Sequence, residues 1–136
     1  MKKVSNTLAL LLILHAAPCL AQDSNTTDAA AGACINGSQW FRLYDIYEKD
    51  SASMSSMIRR FSKAMLATAF NRNEEAAEAI STLVRNHQQE MGMGNVVSML
   101  SLLSTTYSRL GDNAKASATM TSRDRKSGSA GMPRPI

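Results

Sequence analysis

The chain has 136 residues, room for one small domain, and a formal net charge of +4. That charge sits at the ends. Lys2 and Lys3 open the chain, and Arg123, Arg125, Lys126 and Arg134 face only Asp124 near its close, while Gln22 to Met120 hold nine Lys/Arg against ten Asp/Glu. A near-neutral body with a short basic tail excludes a broad nucleic-acid-binding face.

Residues 1–21 have the layout of a signal peptide. Lys2 and Lys3 give a positive start, Leu8 to Leu14 form a short apolar core, and Cys19 and Ala21 are small residues three and one back from a cut before Gln22. The apolar run is well short of the roughly 20 residues that span a bilayer, so no stable membrane span is expected. The expected location is periplasmic or secreted. With Cys19 removed, Cys34 is the one remaining cysteine and has no internal disulfide partner.

Residues 22–37 are small and polar without apolar periodicity, which reads as a flexible spacer. Ser38 then stands where a helix cap would, ahead of Trp40, Phe41, Leu43, Tyr44 and Tyr47 at helical spacing. A second helix is expected from about Ser53 to Phe70, with Met54, Met57, Ile58, Phe61, Met65, Leu66 and Ala69 on its apolar stripe. After Asn71-Arg72-Asn73, with Asn73 as cap and Glu74 and Glu75 in the favourable first turn, a third helix carries Ala76, Ala77, Ile80, Leu83 and Val84 to about Asn86-His87. Gly92 and Gly94 break the chain before a fourth helix from about Asn95, with Val96, Val97, Met99, Leu100, Leu103, Tyr107 and Leu110 on its apolar stripe. Gly111 closes that helix, Asp112 caps a short fifth over Ala114 to Met120, and residues 121–136 have the composition of a disordered tail. No strand-like alternation occurs, so the expected class is all-α, with about five antiparallel helices and the ordered domain at 38–120.

The most specific pattern is Leu100-x-x-Leu103-Ser104-x-x-Tyr107-x-x-x-Gly111-Asp112-x-x-x-Ala116-x-x-x-Met120. It resembles a tetratricopeptide repeat. An aromatic fills the gap between paired helices, a glycine permits the left-handed turn, and an alanine lets two helices approach. A degenerate copy runs from Ala64 through Phe70 and Asn71 to Ala76, without the turn glycine and offset by 40 residues rather than 34. The repeat-packing residues are thus Leu100, Leu103, Tyr107, Gly111, Ala116, Phe70 and Ala76. A plain antiparallel helix bundle accounts for the same stripes.

Ala67-x-Ala69-Phe70-Asn71-Arg72-Asn73-Glu74-Glu75-Ala76, taken with the signal peptide and the Tyr107–Ala116 repeat, resembles the helical region that precedes the catalytic domain in exported retropepsin-like aspartic proteases of Bacteroidetes-type bacteria. Asn73 stands where that family has proline. The resemblance covers at most about residues 38–120. It implies a non-catalytic front region, or a product cut short after about Met120.

No catalytic constellation is legible. Aspartic proteases need Asp-Thr-Gly or Asp-Ser-Gly between apolar strands, because two carboxylates must share a proton. The nearest string, Asp50-Ser51-Ala52, has no apolar flanks. His87 is the one histidine after residue 21 and has no companions for a metal cluster. Glu74, Glu75 and Glu78 read as the solvated start of a helix. Met54, Met57, Met65 and Met99 fall on apolar stripes and read as core, with an adaptable Met-rich surface or thioether copper ligation as the sharper alternatives. The expectation is a non-enzymatic module without cofactor or metal, taking a protein or peptide partner.

Overall fold

The computed structural model describes residues 23–128, with side chains from Thr26 onward. The expected signal peptide at 1–21 and the last residues of the expected tail lie outside these. Among the described residues the regular structure is six α-helices and one 3-10 turn, with no strand. The chain is all-α. It divides into two compact units, with the boundary between Ile58 and Arg59.

The first unit opens with α1 (Asp23–Asn36), where a flexible spacer was expected. Ala29, Ala30, Ala31 and Ala33 are strong helix formers, and the helix has no stripe of large apolar side chains to betray it. It packs on α2 (Trp40–Asp50). Ala31 and Cys34, one turn apart on α1, are buried, as is Leu43 on α2. The 3-10 turn Ser51–Ser53 and buried Met54 lead into α3 (Ser56–Ala69). Ser55, rather than Ser53, starts α3: its Oγ accepts from the Ile58 N–H at 3.4 Å, while its own N–H donates to Asp28 Oδ1 at 2.9 Å.

The second unit holds the rest of α3 with α4 (Asn73–Met91), α5 (Met93–Arg109) and α6 (Asn113–Gly128). Its core is Ala64, Leu66 and Ala67 on α3, Ala76, Ala77, Ile80 and Leu83 on α4, Val96, Met99, Leu100 and Leu103 on α5, and Ala116 on α6. α4 packs on α5 and α5 on α6. The end expected at Asn86-His87 is a kink instead: His87 leaves helical geometry at φ −127°, ψ 21°, and α4 continues to Met91. Gly92, at φ +76°, makes the break before α5.

The last helix also outruns its expected end at Met120. Thr119 and Thr121 satisfy their hydroxyls on the carbonyls of Lys115 and Ser117, and Arg123 reaches back to Ser101 on α5 at 3.4 Å. Back-bonding to the preceding turn satisfies these hydroxyls without adding to helix stability. Residues 121–128 are helical, not a disordered tail.

One turn is used three times. The Arg72 N–H donates to the Ala67 carbonyl at 2.9 Å and the Asn71 N–H to Thr68 at 3.1 Å, with Asn71 left-handed at φ +57°. The Asp112 N–H donates to Tyr107 at 2.9 Å and the Gly111 N–H to Ser108 at 3.0 Å, with Gly111 at φ +78°. The Gln39 N–H donates to Cys34 at 2.8 Å and the Ser38 N–H to Ile35 at 3.1 Å, with Ser38 at φ +53°. This paired closure ends a helix by satisfying carbonyls that have no partner within it. Ser38 and Asn73 therefore cap nothing: Ser38 is the turn residue, and the next helices start from Gln39 and Arg72 without a side-chain cap bond. Seven residues before each left-handed position stand Ala31, Ala64 and Ser104, and five after it Leu43, Ala76 and Ala116, all buried.

Candidate functional site

The seven residues expected to pack the repeat fall in two places. Around α5 and α6, Leu100, Leu103 and Ala116 are buried, Gly111 is the left-handed turn residue, and Tyr107 is half-buried. Its Oη lies 3.4 Å from Ser81 Oγ on α4, and the Lys115 ammonium stands 5.6 Å from its ring centroid. Tyr107 thus touches α4 on one side and α6 on the other. Near the α3–α4 turn, Ala76 is buried and Phe70 half-buried, with the Arg72 guanidinium 5.9 Å from the Phe70 ring.

Two hydrogen bonds define how α5 and α6 pair. Ser104 bonds the Ala116 carbonyl at 2.9 Å, and Arg123 bonds Ser101 at 3.4 Å. As the position on α5 falls, its partner on α6 rises, so the two helices run antiparallel. Asp112 caps α6 as its sequence position suggests, Oδ1 accepting from the Lys115 N–H at 3.0 Å. That bond holds the Asp112 carboxyl below its usual range; the Lys115 ammonium adds to the effect.

The aromatic segment of α2 departs from expectation. Of its apolar positions only Leu43 is buried; Phe41 is 81% exposed and Tyr44 42%, with Trp40 and Tyr47 half-buried. Residues two apart on a helix stand nearly opposite each other, so a face that buries Leu43 turns Phe41 outward. Helical spacing sets these two sides apart but does not say which of them is buried.

His87 is likewise not an ordinary helix-end histidine. Its side chain is 11% exposed, Nδ1 lies 2.9 Å from Glu90 Oε1, and Nε2 is enclosed without a hydrogen-bond partner. Among the described residues no group of three His, Cys, Asp or Glu could hold a metal ion. Met54, Met91 and Met99 are buried and Met57 and Met65 half-buried, whereas Met93 is exposed. Glu74 and Glu78 are exposed, and Glu75 pairs with Arg72 at 3.0 Å. Asp50 is exposed at the end of α2.

No protein-family model matches the chain, and neither does any curated protein or solved structure.

Proposed function

We propose that the chain is an exported, non-enzymatic interaction module that holds a protein partner on a scaffold of helical hairpins of the tetratricopeptide type. The observation that carries this reading is the turn used at Ser38, Asn71 and Gly111, each with a small buried residue seven positions before it. A recurring hairpin register is how repeat proteins extend a surface from short units, each of which is too small to bury its own apolar face. The aromatics of α2 supply the side-chain types in which binding surfaces are enriched.

The test compares the wild-type chain with a Phe41→Ser, Tyr44→Ser variant, each purified with its bound proteins from the native host and quantified by mass spectrometry. The module reading expects at least one protein held by the wild type and lost from an equally folded variant. Identical profiles would remove α2 from the binding surface, and an empty wild-type profile would sink the reading. Export is tested on the same material. A mature N-terminus at Gln22 supports it, and a retained Met1 contradicts it.

A further inference from the structure

We propose that the groove between α3 and α4 binds a small amphoteric molecule bearing one carboxylate and one primary ammonium group. This goes beyond the partner-holding role and uses different residues. Arg60 and Lys63, one turn apart on α3, line one wall, and Glu75 and Glu78, one turn apart on α4, line the other, with buried Ala79 and half-buried Thr82 completing a cavity of about 210 Å³. The Asn71 turn closes the hairpin that carries both helices.

Charge placement sets the ligand class. Among the described residues, no ion pair within 4.0 Å joins either α3 cation to either α4 carboxylate; Glu75 spends one oxygen on Arg72 instead. The groove therefore has a cationic wall and an anionic wall with room between them. A ligand with only a carboxylate gains at Arg60 and Lys63 and is repelled at Glu78. A simple amine meets the reverse penalty. A molecule with both charges satisfies both walls, and this arrangement selects against either charge alone. The volume lies below the roughly 300–1,000 Å³ of pockets for drug-sized ligands, so the ligand is small. A free amino acid and a dipeptide share this chemistry.

The experiment is a titration of the ¹⁵N-labelled full chain followed by amide chemical shifts. The probes are alanine, glycylglycine, N-acetylalanine and alaninamide. Saturable shifts confined to residues 60–63 and 75–82, at roughly millimolar concentration, are expected from alanine, glycylglycine or both. Saturation by alanine identifies a free amino acid as the ligand, and saturation by glycylglycine alone identifies a dipeptide. The acetylated and amidated forms, and the variants Lys63→Gln and Glu78→Gln, should each weaken binding by about ten-fold or more. Both substituted side chains are exposed, so the fold should survive the change. Absence of saturation with both amphoteric probes, equal binding of a capped form, or unchanged binding in both variants overturns the proposal. The aromatic face of α2 contributes nothing to this readout, so its failure is separable from failure of the partner-holding reading.

Discussion

Ser104 on α5 donates its hydroxyl to the carbonyl oxygen of Ala116 on α6 at 2.9 Å, and both residues are buried. Both side chains at this contact are small, so the helices come close enough for a serine to reach the opposite backbone. Ser104→Ala should cost about 1 kcal/mol, the usual net worth of such a bond. Ala116→Leu should cost about 1–3 kcal/mol by overpacking the same contact. Ala118→Leu, an exposed position on the same helix, is the control and should be near neutral. Denaturant melts that place Ala116→Leu and Ala118→Leu at one midpoint would remove the register from the account.

The turn glycine gives a paired prediction. Gly111 sits at φ +78°, and a Cβ built there meets no atom within 4 Å, so Gly111→Ala carries a backbone penalty alone, about 1–2 kcal/mol. Asn71 occupies the same conformation at φ +57°. Asparagine tolerates that region better than most residues, so Asn71→Gly should gain no more than a few tenths of a kcal/mol. Thermal unfolding of both variants checks the pair, and opposite signs are the expected outcome.

Asp112 predicts a pH dependence. The Lys115 N–H bond lowers its carboxyl from the usual 3.8. A group whose folded pKa is depressed stabilises the fold above its unfolded pKa. That contribution is lost as the pH falls through the lower folded value. Asp112→Asn keeps a capping oxygen and removes the titration. The stability difference between wild type and this variant should be constant from pH 5 to pH 7 and shift against the wild type below about pH 4. A difference that does not change down to pH 2 would mean that the cap bond does not distinguish the two protonation states.

Arg123 tests the length of α6. Its guanidinium pairs with Asp124 at 2.7 Å and reaches Ser101 at 3.4 Å, with its side chain 28% exposed. Such partly exposed pairs are individually weak, so Arg123→Ala should cost under about 1 kcal/mol. The sharper readout is the ¹³Cα shifts of residues 121–128, which should be helical in the wild type and move toward coil in the variant. Coil shifts in the wild type would return this segment to a disordered tail.

The sequence by itself determined the all-α class and the stripes of α3, α4 and α5, because large apolar residues recur there with the helical period. Gly111-Asp112 was equally legible: glycine suits the left-handed turn and aspartate the cap, whatever packs outside. Tertiary structure decided what small and polar residues do. Ala31 and Cys34 carry no period signal, yet they are buried where α1 meets α2, and an expected spacer is a helix. Ser38 reads as a cap from composition, but the helices on either side make it a left-handed turn residue. Arg123 reads as tail, but Ser101 on α5 receives it. Phe41 and Leu43 stand on opposite sides of α2 by the helical period, and only the fold shows that the Leu43 side is the buried one. Periodicity records where large apolar side chains stand along one helix. The fate of a small, polar or ambivalent side chain depends on the neighbouring helix, which is brought alongside only by the fold.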